Sequence, residues 1–123
     1  MNYRTQLGKE AEEKVAQKLI ENGFTILERN YRKKTGEIDL IASKYRLLVF
    51  VEVKMRQNHY FDLSDVITSG KQRKIIMVAK EYIARLANQD CSYRFDVALL
   101  QGTSQGLELT YIPNAFNEGD CPW

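Results

Sequence analysis

Two short segments constrain this chain more than any others: Gly36-Glu37-Ile38-Asp39-Leu40-Ile41 and Val49-Phe50-Val51-Glu52-Val53-Lys54. Both are runs of β-forming apolar residues, and both are broken by charge. A charged group in a strand that otherwise reads as core is costly unless it is paired or binds a metal. Side chains alternate across a strand, so Glu52 and Lys54 share one face, roughly 6–7 Å apart, with Val51 and Val53 on the other. By the same rule Glu37, Asp39 and Ile41 share a face, and Ile38 and Leu40 take the opposite one. A hairpin register that sets Asp39 against Glu52 would bring two carboxylates together beside an ammonium. Like charges that close raise the pKa of one group unless a cation lies between them. Hard carboxylate oxygens suit Mg²⁺ or Mn²⁺, which keep several waters and also accept substrate phosphates. Lys54 could then stabilise developing charge or position a water for attack on a phosphodiester. A plain salt bridge is the alternative, because E-x-K on a strand is a common pattern.

The chain of 123 residues fits one domain, 1–123. Its 44% hydrophobic and 28% charged residues match an ordinary globular protein rather than a disordered one. A net charge of +2 neither demands nor excludes a nucleic-acid partner, since local clusters matter more than the sum. Met1-Asn2-Tyr3-Arg4 runs straight into charged residues without the apolar stretch of a signal peptide. The apolar runs fall short of the ~18 residues of a membrane helix. No membrane association and cytoplasmic residence are therefore expected. Cys91 and Cys121 lack metal or redox spacing and read as free thiols. The lone histidine, His59, cannot support a His/Cys zinc site.

Leu7, Ala11, Val15 and Leu19 recur every four residues, widened by Ala16 and Ile20, and predict a helix over about Asn2–Asn22 that Gly23 stops. Strands are expected at Phe24–Tyr31, Glu37–Ala42 and Leu47–Met55, joined by the basic turn Arg32-Lys33-Lys34-Thr35-Gly36 and the hairpin Ser43-Lys44-Tyr45-Arg46. Short links make these an antiparallel meander, with the uniformly apolar third strand placed centrally. Gln57–Ser69 is polar and loop-like, with a turn of helix near Asp65-Val66-Ile67. After Gly70, Ile75, Ile76, Val78, Ala79, Tyr82, Ile83 and Leu86 line one side of a second helix. Strands at Tyr93–Leu100 and Leu107–Ile112 follow, then a tail from about Pro113 that packs through Phe116 and Trp123. The expected fold is α/β (α+β), a mixed central sheet of about five strands flanked by helices, in the order αβββαββ.

Other charges bear on the same chemistry. Glu12 borders the apolar stripe of the first helix, where it is either a site acid or an ordinary surface carboxylate. Arg32, Lys33 and Lys34 precede the Asp39 strand, with Arg29 just before them. Arg56 follows Lys54, and Lys71, Arg73 and Lys74 open the second helix. Flanking the acids, they would form a basic rim suited to phosphates; alone, each is a solvated basic face. Tyr31, Tyr45, Tyr60 and Phe61 could stack on bases, although packing explains each as well. Asp96, in Arg94-Phe95-Asp96, is a third charge inside a strand and reads as the structural partner of a half-buried arginine.

These segments resemble the PD-(D/E)xK nuclease superfamily and its restriction-endonuclease-like fold. They are closer still to the small bacterial YraN-like family, UPF0102, itself similar to archaeal Holliday-junction resolvases. The resemblance spans nearly the whole chain. It rests on Gly8-Lys9-Glu10-Ala11-Glu12 with Ala16 and Leu19, Asn30-Tyr31-Arg32, Gly36–Ala42, Phe50–Arg56, Arg94-Phe95-Asp96-Val97 and Asn114-Ala115-Phe116. It implies that Asp39 and Glu52 are metal ligands, that Lys54 supports the nucleophile, and that Glu12 completes the site directly or through water. It also implies Mg²⁺- or Mn²⁺-dependent hydrolysis of DNA phosphodiesters, with structure-selective cutting of branched DNA as the leading form. Arg32, Lys33, Lys34, Arg56, Lys71 and Arg73 would contact nucleic acid. Paired cuts in a symmetric substrate would favour a homodimer. The competing readings are a non-catalytic nucleic-acid-binding module in a repair, uptake or recombination complex, and a scaffold using an apolar patch near Phe116 and Trp123.

Overall fold

The computed structural model describes residues 3–56, 67–86 and 91–117. Helix α1 spans Tyr3–Glu21, strands β1–β3 span Thr25–Lys33, Gly36–Lys44 and Leu47–Arg56, helix α2 spans Ser69–Arg85, and strands β4 and β5 span Ser92–Thr103 and Gly106–Phe116. Tyr60, Phe61, His59, Cys121, Trp123 and the turn expected at Asp65-Val66 lie outside the described residues. The order αβββαββ is the expected one. The five strands form one sheet in the order β1-β2-β3-β4-β5, which puts β3 at its centre. All neighbours pair antiparallel except β3 and β4, which are parallel. That parallel step needs a crossover, and α2 supplies it.

Each helix covers one face of the sheet. Ala11, Val15, Ala16 and Leu19 of α1 pack on Leu40, Ala42, Val49, Val51, Ala98 and Leu100. Ile75, Ile76, Val78, Ala79 and Tyr82 of α2 pack on Ile38, Ile41, Leu48, Phe50, Phe95, Val97, Leu99 and Phe116. Phe95 stacks between Phe50 and Phe116, with centroids 5.6 and 5.1 Å away. Burying each such ring stabilises the fold by about 1.5–3 kcal/mol. The first half of β3 is buried on both sides, as a central strand next to a parallel partner should be.

Local chemistry sets the ends of the helices. Gly23, at φ +93°, closes α1: its N–H donates to Ile20 O at 2.9 Å while Phe24 N–H donates to Leu19 O at 2.9 Å. A residue with a β-carbon would be strained in that left-handed turn. Thr68 caps α2, its Oγ1 accepting from Lys71 N–H at 3.2 Å. Gly36 lets the β1–β2 turn approach α2 closely, since a β-carbon there would lie 3.3 Å from Lys74 Cβ. The turn is thereby held against the middle of α2, near Lys74 and Val78, with Thr35 Oγ1 donating to Glu81 Oε2 at 3.4 Å.

Two expectations are corrected. The last strand does not end at Ile112 but runs to Phe116. Pro113 is tolerated because β5 is an edge strand, and the register shifts there, from Val97↔Ile112 to Phe95↔Phe116. The second correction concerns β2. Ile38 and Ile41 face the same layer, that of α2, whereas Leu40 faces α1. Residues three apart in a regular strand point to opposite faces. Alternation therefore breaks between Ile38 and Leu40, at Asp39, and Ile38 does not share the face of Leu40.

Candidate functional site

The β2–β3 register runs from Lys44↔Leu47 to Leu40↔Val51 and stops. The next rung would pair Asp39 with Glu52. Instead of continuing the ladder, Asp39 Oδ2 accepts the backbone N–H of Val53 at 2.8 Å. The strands part where the acid sits, and its carboxylate replaces a main-chain acceptor. Glu52 lies on the α2 face of β3 in step with Leu48 and Phe50, and its side chain is only 14% exposed.

The two carboxyls touch. A hydrogen bond links the Glu52 and Asp39 carboxyls, and both hold a proton more tightly than free carboxyls do. Burial pushes Glu52 up to about 8, reinforced by the negative charge of Asp39 and opposed by Lys71 and Lys54. Asp39 is also raised, first by burial, with the Val53 N–H and the Glu52 bond pulling the other way. Lys71 Nζ, from the first turn of α2, lies 3.6 Å from Glu52 Oε2. Lys54 is on the same face of β3, and its charge also favours ionised Glu52. Of the residues singled out in the sequence, the fold brings Asp39 and Glu52 into contact and sets Lys54 near enough to act on Glu52. The sequence had assigned Lys71 only to nucleic-acid contact, whereas in the fold Lys71 pairs with Glu52.

Glu12 approaches from the α1 side. Its Oε1 accepts from Asn30 Nδ2 at 3.2 Å. Burial raises its pKa first, and Asp39 raises it further. Among the described residues no group of three or more His, Cys, Asp or Glu side chains closes to metal-holding distance. Glu12 is therefore within electrostatic reach of the pair without joining it. Asn30 was not singled out as a site residue in the sequence. Its signal was faint: Asn is one of few residues that accept a left-handed backbone, and its φ is +51°.

Of the basic residues, Lys71 and Lys54 act directly on the pair. Lys33 ends β1 with its Nζ 5.4 Å from the centre of the Tyr31 ring, Lys34 sits on the turn that follows, and Lys71, Arg73 and Lys74 open α2. Arg32 is exposed and pairs with Glu37 at 3.0 Å. Arg29 pairs with Glu13 at 3.0 Å. Arg56 ends β3 in step with Glu52 and Lys54, and its Nε is buried without an acceptor among the described residues. Such a buried donor is costly until an acceptor meets it. Grooves lined by Leu27, Tyr45 and Cys91, and by Lys14, Leu109 and Tyr111, lie elsewhere.

Asp96 behaves as a structural residue. It is 0% exposed and receives Arg94 Nε and Nη2 at 2.9 Å each, the Asn114 N–H at 2.8 Å and the Tyr111 hydroxyl. Its charge keeps Arg94 protonated and pushes Tyr111 far up, after burial.

No described helix is long and apolar enough to cross a membrane. Residues 11–100 match the model of the "Uncharacterised protein family UPF0102". A UPF0102 protein of Caldicellulosiruptor saccharolyticus is 41% identical over 119 residues, covering 94% of this chain and all of the relative. One from Geotalea daltonii is 47% identical over 96 residues, 76% of each chain. One from Vibrio parahaemolyticus is 36% identical over 118 residues, 94% of this chain and 96% of its own. On these matches the chain belongs to the UPF0102 family.

Proposed function

We propose that the protein is a divalent-metal-dependent DNA endonuclease, acting on branched or junction-like DNA. The observation that carries this reading is the Asp39–Glu52 contact, where two half-buried carboxyls meet, each binding a proton more tightly than a free carboxyl, at the place where β2 and β3 part. Carboxyl groups held this close favour a cation in place of the proton. Their hard oxygens fit Mg²⁺ or Mn²⁺, and a two-carboxylate site leaves positions for waters and a phosphate. Bound there, the metal would polarise a phosphoryl oxygen and lower the pKa of a coordinated water.

The remaining roles belong to the chain. Asp39 is fixed by the Val53 N–H, so it meets the substrate without reorganising. Lys54, on the face of Glu52, supports the attacking water and offsets charge on the phosphate. Lys33, Lys34, Arg56, Lys71 and Arg73 supply donors for neighbouring phosphates, and exposed Arg32 can leave Glu37 for one.

A second reading, a nucleic-acid-binding module that does not cut, is favoured by one observation: only two acids, not three, come together among the described residues. A single experiment separates them. Wild type and Glu52→Gln are assayed with Mn²⁺ on branched, duplex and single-stranded DNA, for binding and for cleavage. The endonuclease cleaves and the variant loses at least about 100-fold of that activity while binding as well or better. Equal cutting by the variant would sink the catalytic assignment. Binding without cutting by both proteins selects the module. In either case Lys33→Glu with Lys34→Glu weakens binding and flattens its salt dependence.

A further inference from the structure

We propose that Asn30 is a positioning residue that holds Glu12 beside the Asp39–Glu52 pair, so that α1 supplies the third acid of the site. This rests on the metal-site reading above.

Three observations converge on one rung of the sheet. Asn30 has φ +51° in the interior of β1, a conformation uncommon for residues other than glycine and better tolerated by Asn than by most. It falls between the pairs Arg29↔Leu40 and Tyr31↔Ile38, opposite Asp39. Alternation in β2 breaks at the same rung, since Ile38 and Ile41 face one layer. Both strands thus depart from regular geometry at the level of the acid. Such departures re-aim side chains, and they gather next to active sites.

The re-aimed group has a target. Asn30 Nδ2 donates to Glu12 Oε1 at 3.2 Å. Glu12 is otherwise poorly placed, because Asp39 and Glu37 both repel its charge and only Arg29 attracts it. A long carboxylate side chain so surrounded would swing toward water. The backbone of α1 is anchored by buried Ala11 and Val15, so one amide hydrogen bond suffices to fix the remaining side-chain torsions. Asn meets both requirements of this position. It accepts the left-handed backbone and carries a donor, whereas glycine offers only the first and glutamine only the second.

The test is Mn²⁺ binding by calorimetry, on the full chain without nucleic acid. It compares wild type, Asn30→Gly, Glu12→Gln, the double variant and Asp39→Ala. Glycine keeps the backbone conformation and removes only the amide. Loss of a residue that orients a metal's surroundings weakens affinity about tenfold or more. Asn30→Gly and Glu12→Gln are each expected to show that loss. The double variant should be no weaker than either, because both act through one arm. Losses that multiply in the double variant overturn the proposal. So does an Asn30→Gly protein that binds like wild type while Asp39→Ala does not bind, and this outcome leaves the metal reading standing. A wild type that binds no Mn²⁺ overturns both. Should glycine unfold the strand, the Asn30 side-chain amide resonance gives a reading that needs no substitution there. It shifts on Mg²⁺ addition in wild type and not in Glu12→Gln; an amide indifferent to Mg²⁺ in wild type overturns the proposal.

Discussion

Two acidic centres, one fully buried and one half-buried, lie on neighbouring strands of this sheet and are solved in opposite ways. Asp96, in β4 opposite Val51, is encircled by donors: two from Arg94, one from Tyr111 and the Asn114 N–H. Both oxygens are satisfied, and the positive partner is local. Asp39 and Glu52, across the neighbouring β2–β3 boundary, have among the described residues one backbone donor, each other, Lys71 at 3.6 Å and the charge of Lys54. The first arrangement leaves nothing for a ligand to add. The second keeps carboxyl oxygens that a proton or another cation would satisfy. The structural carboxylate is fully buried and the pair only partly so, and the donor inventory separates them further.

The largest effect expected from breaking the comparison is at Asp96. Replacing it by alanine strands Arg94, the Tyr111 hydroxyl and the Asn114 N–H at once. Removing one partner of a buried pair costs about 3–5 kcal/mol. Asp96→Ala is therefore expected to lose about that much in urea denaturation, with no specific effect on Mn²⁺ binding by the fraction that remains folded. A loss under about 1 kcal/mol would mean that the network is not a stabilising centre.

The same contrast explains what could be read from the sequence. Asp39, Glu52 and Lys54 were legible because each is a charge in an apolar strand, a signal that needs no tertiary contact. So was the Arg94–Asp96 pairing, which spans two residues of one strand. The rest of the Asp96 network was not, since Tyr111 and the Asn114 N–H reach it through a register shift between β4 and β5. That shift also carried the last strand past Pro113. Asn30 and the broken alternation at Asp39 were hidden for a related reason: regular period-two counting assumes the strand is unbent, and here it bends at the acid. Lys71 met Glu52 only once the crossover had set α2 on the correct face.

A smaller and opposite effect is expected in the acidic pair. Glu52 is raised from 4.5 to about 8, by burial and then by Asp39, against the pull of Lys71 and Lys54. The folded state thus holds this proton more tightly than the unfolded chain does. The stabilisation is full below about 4.5 and is lost as pH rises through about 8. Asp39 is shifted in the same direction. Without metal, the urea midpoint of wild type is expected to fall steadily between pH 5 and 8. Glu52→Gln should lose most of that slope, and saturating Mg²⁺ should flatten it in wild type by taking the place of the proton. A metal-free wild type whose midpoint rises across this window would show that the pair is not buried together as described.

The smallest effect sharpens the comparison most, because it asks whether the pair already has its cation. Lys71 is 45% exposed and lies at 3.6 Å, so its bond to Glu52 resembles a surface ion pair, worth about 0–1 kcal/mol. Arg94 grips Asp96 with two short bonds and is not replaceable; Lys71 should be. In Lys71→Met, which keeps the apolar stem, stability in EDTA is expected to change by less than about 1 kcal/mol. The fall of stability with pH should extend to higher pH, since one of the charges that lowers Glu52 is gone. Two further readouts should then move apart. Mn²⁺ affinity should hold or rise by up to about fivefold, the equivalent of that ion pair, because the lysine no longer competes for the carboxylate. Affinity for DNA should fall, because a phosphate donor at the mouth of the site is lost. If Mn²⁺ binding instead collapsed with Lys71, the ammonium would be an essential part of the acidic centre, and the two acidic centres would be variants of one structural solution.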